Sequence, residues 1–164
     1  TWPENALALR VLRDSDIDGN EAVSARARYE EFSSLHIADR PDIHPNDVTP
    51  AVDYACLLDR MGESHRASAI LRASLEAMRA VPRLGLLGYN VTDVRALTLL
   101  GNRRAALDAL QEAYEDGWRV DWWLELERDP CLDDLRDEPE FQAVVDLIRE
   151  DMRRQRAAVV EQSL

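Results

Sequence analysis

A pattern of small and apolar residues occurs twice in this chain, displaced by 101 − 62 = 39 positions. Its members are Gly62, Ala67, Leu71 and Ser74 in the first copy and Gly101, Ala106, Leu110 and Ala113 in the second. Glycine permits the tight turn between two helices, and the alanine five residues later lets the second helix pack closely on the first. Recurrence at this interval predicts helical hairpins in series. Such arrays usually bind other molecules and seldom catalyse reactions.

Most of the remaining sequence also indicates helices, and it contains no long alternating strand pattern. We expect a first helix ending near Asp14, a loop, and a second helix from Glu21 to about His36. Thr49 is the expected N-cap of the next helix, with Pro50 as its first residue. Towards the C-terminus, apolar residues three or four apart predict a long helix with one apolar face, which suits a terminal cap.

The sequence therefore predicts an all-α fold, a right-handed superhelix of antiparallel hairpins closed by a capping helix. The expected parts of this one domain are an irregular hairpin and linker over 1–46, repeats over 47–88 and 89–117, and an aromatic-sealed cap over 118–164. Because the first residue is Thr1 rather than methionine, we expect the segment to have been excised from a longer protein.

The charge balance narrows the classes of partner. The chain has 32 acidic residues against 20 basic ones, a formal net charge of −12, and every basic residue is an arginine. An acidic surface repels phosphate groups, so we expect no direct nucleic-acid binding by this segment. No stretch is long and apolar enough to predict membrane insertion. No phosphate loop, nucleophile elbow or zinc-protease motif occurs, so we predict a non-enzymatic protein without a cofactor.

The two hairpins resemble tetratricopeptide repeats in the glycine between the helices, the alanine after it and the apolar and small residues that follow. They depart from that family in the first helix of each repeat. Ala51 and Asn90 stand where the family has tryptophan, and Ala55 and Val94 where it has glycine. The resemblance covers about half of the chain and implies the superhelical fold.

The stretch from Leu100 to Arg119, the pair Trp122-Trp123 and the stretch from Asp129 to Phe141 resemble a more particular ending. It is similar to the C-terminal repeat region of bacterial signalling proteins that carry a winged-helix transcriptional regulator domain or a nucleotide-cyclase domain. This resemblance implies a sensory or protein-interaction module that binds a peptide, a protein segment or a small ligand. The alternatives are a stand-alone oligomerising adaptor and the regulatory tail of a cyclase. A membrane-tethered regulator would hold the segment in the periplasm, and a cyclase tail would be cytoplasmic.

The first helices of stacked hairpins line the concave groove of such arrays. By alignment to the repeat pattern, the residues predicted to face the groove and bind a partner are Val52, Cys56, Asp59, Arg60, Val91, Arg95 and Thr98. Arg60 and Arg95 are candidate carboxylate contacts because a guanidinium group pairs with a carboxylate through two hydrogen bonds. The alternative is that both arginines pair with neighbouring acids of this chain.

An aromatic cluster follows the second hairpin. Its members are Tyr114, Trp118, Trp122, Trp123 and Phe141, and we predict that they seal the last repeat as a structural cap rather than stack on a ligand.

Three groups of candidate ligands remain. Asp14 to Gly19 begins like a calcium-binding EF-hand loop, but Ala25 stands where the bidentate glutamate belongs, so we favour a turn between helices. Between His36 and His44, two histidines and two aspartates have no spacing typical of zinc. Cys56 and Cys131 fit no metal or redox motif, and the sequence leaves open whether they pair. We predict no metal site.

Overall fold

The computed structural model describes residues 6–18, 22–32, 42–85 and 88–162, and within these ranges the chain is helical and contains no strand. The α-helices are α1 (Ala6–Asp18), α2 (Ala22–Phe32), α3 (Val48–Arg60), α4 (Ser64–Met78), α5 (Thr92–Leu99), α6 (Arg103–Glu115), α7 (Trp122–Glu127) and α8 (Pro139–Gln162). Two 3₁₀ helices, Pro45–Asp47 and Pro130–Leu135, precede α3 and α8. The predicted all-α class is confirmed for the described residues.

The turns at Gly62 and Gly101 have the same backbone structure. Both glycines adopt a left-handed conformation, with φ of 82° and 74°. The N–H of Gly62 donates to the carbonyl of Asp59 at 2.9 Å, and the N–H of Gly101 donates to Thr98 at 2.9 Å. The residue after each glycine donates to the carbonyl five positions earlier, which caps the carbonyl end of the first helix. Local sequence therefore determines how α3 and α5 end.

The helices pack as three consecutive antiparallel pairs. α1 packs on α2, α3 on α4, and α5 on α6, while the first members of the pairs also contact one another, α1 with α3 and α3 with α5. One apolar core forms between α3 and α4 and extends to α1 and α2 through Leu9 and Tyr29. A second core joins α5 and α6 to α8, where Leu110, Phe141 and Ile148 are fully buried.

Two predicted boundaries are wrong. The first helix does not end near Asp14 but continues to Asp18, so the acidic stretch is helical rather than a loop. Its side chains are paired, Asp14 with Arg13 and Asp16 with Arg28. The helix predicted to start at Pro50 begins at Val48, because the 3₁₀ turn before it runs directly into α3 and leaves Pro50 in the first helical turn.

The chain after α6 crosses back over the hairpins. The 3₁₀ helix Pro130–Leu135 packs on α5, and α8 then packs on α6. Residues 153–160 of α8 are all exposed. No described helix is both long enough and apolar enough to cross a membrane.

We predict that Gly101→Ala lowers the free energy of unfolding by about 1 kcal/mol, because alanine is disfavoured in the left-handed conformation. No heavy atom lies within 4 Å of the position that a Cβ would occupy, so the effect isolates backbone strain from steric clash. Gly101→Asn is the matched control, since asparagine tolerates this conformation better and costs less. Urea denaturation measures both variants, and an equal loss for alanine and asparagine would contradict the explanation.

Candidate functional site

Most of the seven predicted groove residues are buried. Val52, Cys56, Val91 and Arg95 are inaccessible to solvent, and Thr98 is almost so. Asp59 is half-buried, and the side chain of Arg60 is 40% exposed. In this conformation, therefore, only Asp59 and Arg60 offer substantial surface to a partner.

The 3₁₀ helix Pro130–Leu135 with Asp129 before it, here called the closing segment (129–135), covers these residues. Arg60 at the end of α3 holds it from one side: its Nη2 donates to the carbonyl oxygen of Pro130 at 2.8 Å and to Oδ2 of Asp133 at 2.7 Å. Cys131, Leu132 and Leu135 of the segment are buried. The chain thus occupies its own groove.

A buried ionic network lies beneath the closing segment, and Asp53 of α3 is at its centre. Arg13 donates to Oδ1 of Asp53 from Nη1 at 2.8 Å, and Arg10 donates to Oδ2 from Nε at 3.3 Å. The hydroxyl of Tyr29 lies 3.3 Å from Oδ2 as a further donor, and Arg95 of α5 also pairs with this carboxylate. One carboxylate therefore joins α1, α2, α3 and α5.

Asp129 brings a second carboxylate to the network from the closing segment. Its Oδ1 accepts from Arg13 Nη2 at 3.2 Å and from the backbone N–H of Cys131 at 2.9 Å, and its Oδ2 lies 2.9 Å from Nε of Arg95. Burial alone would raise the pKa of the Asp129 carboxyl, but the guanidinium groups of Arg95 and Arg13 outweigh burial and hold that pKa well below its usual range. Asp129 is therefore ionised at neutral pH.

Within the described ranges, every charged residue classed as buried belongs to this network: Arg10, Arg13, Asp53, Arg95 and Asp129. Their charges sum to 3 − 2 = +1. Glu125 of α7, whose side chain is only 14% exposed, pairs with Arg10 and lies 4.0 Å from Arg95, so it neutralises the remaining positive charge. Three arginines thus share carboxylates that come from three separate parts of the chain.

Both cysteines border the network as free thiols, and both are buried. Arg13 Nη1 lies 3.5 Å from Sγ of Cys131. Burial raises the pKa of the Cys131 thiol, and its hydrogen bond with the Cys56 thiol raises that pKa further. The thiol of the closing segment therefore lies against the thiol of α3.

Two cavities open beside the closing segment. One of about 300 Å³ is lined by Asp59, Arg60 and Thr98 together with Pro130, Cys131 and Asp133. The other, of about 500 Å³, lies between α1 and the end of α7 and is lined by Val11, Asp14, Leu124 and Arg128 together with Pro130, Asp133 and Arg136. The first cavity is the part of the predicted groove that solvent reaches.

The aromatic residues of the predicted cap divide by burial. Trp118 and Phe141 are fully buried in the core that joins α5, α6 and α8, and Tyr114 and Trp122 are partly buried against it. Trp123 differs, because it is 46% exposed with the guanidinium group of Arg128 over its ring. Trp123 therefore lies outside that core.

No group of three or more His, Cys, Asp or Glu side chains in the described ranges is arranged to hold a metal ion. His36 and Asp39 of the histidine-containing linker lie outside the described residues. His44 is exposed, and its Nδ1 accepts from the backbone N–H of Asn46 at 3.2 Å.

Sequence reasoning identified Arg95 and missed the other buried charges. Asp53 carried a usable signal, because it lies within an apolar helical run from Ala51 to Leu58, where a carboxylate must have a partner. Asp129 carried a weaker one, since Asp-Pro usually indicates only a turn. Arg60 and Arg95 both pair with acids of this chain, Asp133 in one case and Asp53 and Asp129 in the other.

We predict that Asp53→Asn lowers the free energy of unfolding by about 3 kcal/mol or more, because removing one member of a buried ion pair leaves arginine charge uncompensated. Asp59→Asn is the control on the same helix. Asp59 is half-buried and accepts from the hydroxyl of Ser64 at 2.8 Å, so its replacement costs about 1 kcal/mol or less. Urea denaturation of both variants checks this, and equal losses would contradict a central role for Asp53.

Comparison of the chain with protein-family models, with curated protein sequences and with solved structures finds no match.

Proposed function

We propose that this chain is a non-enzymatic interaction domain that binds an acidic segment of a partner in the groove now covered by its own closing segment. The observation that carries the proposal is the pairing of the Asp129 carboxylate with Arg13 and Arg95 on the groove floor. A partner carboxylate would take the place of Asp129.

The composition of the groove floor favours a carboxylate as the ligand. Without Asp129, the buried charges of the network would be those of Arg10, Arg13 and Arg95 against Asp53 alone, a sum of 3 − 1 = +2. Arginine pairs with carboxylates through directed hydrogen bonds, and burial strengthens the attraction between the charges. A cationic ligand would meet repulsion at the same place.

The energetics of the network also favour a role beyond stability. Buried ion pairs lose hydration, and well-packed apolar residues of similar volume often stabilise a protein as well or better. A chain selected only for a stable core would have no need of three buried arginines. We therefore interpret the network as a recognition site whose ligand, in this conformation, comes from the chain itself.

The cavity at Asp59, Arg60 and Thr98 gives a partner a route to the groove. It lies beside Pro130 and Asp133 of the closing segment, and Arg60 holds that end of the segment through a side chain that is 40% exposed. A partner that engages Arg60 would compete for the contacts holding the segment. Exchange would then proceed from this exposed end towards the buried Asp129.

The parent protein that we propose is a bacterial transcriptional regulator, with this domain as its C-terminal sensory part. The resemblance from Leu100 to Phe141 supports this proposal. We expect the gene upstream of the Thr1 codon to encode a winged-helix domain, and reading that DNA sequence tests the expectation. A start codon there with no further domain would leave the stand-alone adaptor, and a cyclase domain would make the segment a regulatory tail.

We predict that Asp129→Ala creates a binding site for an acidic peptide added in solution. The probe is a labelled peptide with the sequence of residues 127–135, in which serine replaces Cys131. It should bind the variant at least about tenfold more tightly than it binds the unsubstituted chain, because the carboxylate position is vacant only in the variant. Fluorescence anisotropy measures the affinity, and the peptide should also raise the melting temperature of the variant.

The matched control is the same peptide with asparagine in place of Asp129, which keeps the shape and loses the charge. Weak binding of this control would show that the carboxylate is what the groove recognises. Equal affinity of the two peptides for the variant, or equal affinity of the acidic peptide for variant and unsubstituted chain, would overturn the proposal.

A further inference from the structure

We propose that Cys56 and Cys131 form a reversible disulfide that fixes the closing segment to α3. The two cysteines are the only ones in the chain, and 131 − 56 = 75 positions separate them. Folding brings both into the same buried region between α3 and the closing segment. The bond would be a covalent modification site in the floor of the groove.

Contacts on either side of the thiols define their proximity. On α3, Arg60 lies one helical turn after Cys56 and therefore on the same face. Arg60 donates to the carbonyl oxygen of Pro130, the residue that precedes Cys131. The closing segment is thus attached to α3 within one turn of Cys56.

Arg13 bounds the thiols from the side of α1. Its Nη1 lies 2.8 Å from Oδ1 of Asp53 and 3.5 Å from Sγ of Cys131. Asp53 lies three residues before Cys56 on α3, and residues three apart are neighbours on a helix surface. Arg13 therefore bridges the α3 surface that carries Cys56 to the thiol of the closing segment, and the two thiols hydrogen-bond each other.

The reaction is thiol–disulfide exchange with a small oxidised disulfide such as oxidised glutathione. One cysteine thiolate attacks the glutathione disulfide, forms a mixed disulfide and releases one glutathione thiolate. The second cysteine, after losing its proton, attacks the protein sulfur of the mixed disulfide and releases the second glutathione. The two protein thiols lose two electrons and two protons, and two molecules of reduced glutathione carry them away.

Burial sets the rate of this reaction but not its equilibrium. The thiolate is the reactive form, and the raised pKa of the Cys131 thiol leaves little thiolate at neutral pH. Oxidation therefore waits for a transient opening of the closing segment. Once formed, the disulfide is buried in the same way and protected from exchange.

The consequence for binding rests on the proposed function. A disulfide at Cys131 would keep its neighbour Asp129 on Arg13 and Arg95, so an acidic partner could not displace it. Oxidised chain would hold the groove closed, and reduction would release it. Formation of the bond itself does not depend on any partner.

The test measures the equilibrium between the reduced and disulfide forms of the full chain in mixtures of reduced and oxidised glutathione. Equilibrium is approached from the reduced and from the oxidised chain, thiols are trapped with N-ethylmaleimide, and mass spectrometry counts them. We expect the constant for disulfide formation to be at least about tenfold greater in buffer than in concentrated urea, because the folded chain holds the thiols together. A peptide map without reductant should contain Cys56 linked to Cys131.

Cys56→Ser and Cys131→Ser are the controls, and each should give only mixed disulfides with glutathione. An equilibrium constant in buffer equal to or below that in urea would overturn the proposal, since the folded structure would then give the pair no advantage. Peptide binding separates this proposal from the proposed function. A native disulfide in a chain whose Asp129→Ala variant binds no peptide would refute the groove function and leave the disulfide established.

Discussion

The buried carboxylate of Asp53 is the constraint on which the rest of the structure depends. It is paired with Arg10 and Arg13 of α1 and with Arg95 of α5, and residues 40 and 42 positions away supply two of these contacts. Charges in an interior are tolerated only when they are paired, so none of these helices can bury its charged face alone. The N-terminal pair of helices and the two hairpins must therefore assemble together.

Asp129 extends the same constraint to the C-terminal part of the chain. Its partners Arg13 and Arg95 belong to the first helices of different pairs, and it reaches them from a 3₁₀ helix rather than from a further hairpin. The groove of this domain is consequently filled by a segment whose main polar contact is a carboxylate. This arrangement unites the two proposals, since the residue that imitates a ligand and the thiol that could fix it in place are only two positions apart.

The backbone turns were predictable because the forces that form them are local. Gly62 and Gly101 adopt positive φ and receive their capping hydrogen bonds from residues within five positions, so the spacing of glycine, alanine and leucine was sufficient to locate both hairpins. The helix boundary at Asp14 failed for a tertiary reason. Its acidic side chains pair with Arg13 and Arg28, and those pairs keep a stretch that resembles a loop in helical form.

By itself, the sequence determined the all-α class, the two glycine turns and the burial of Trp118 and Phe141, because helix periodicity and turn chemistry operate over a few residues. Only the tertiary structure decided which charges are buried, which cysteines meet and why Trp123 remains exposed. Those outcomes depend on contacts such as Arg13 with Asp129, across 116 positions, that no local pattern encodes. The closing segment is the clearest case, since nothing in Asp129-Pro130 indicates that its carboxylate lies on the arginines of α1 and α5.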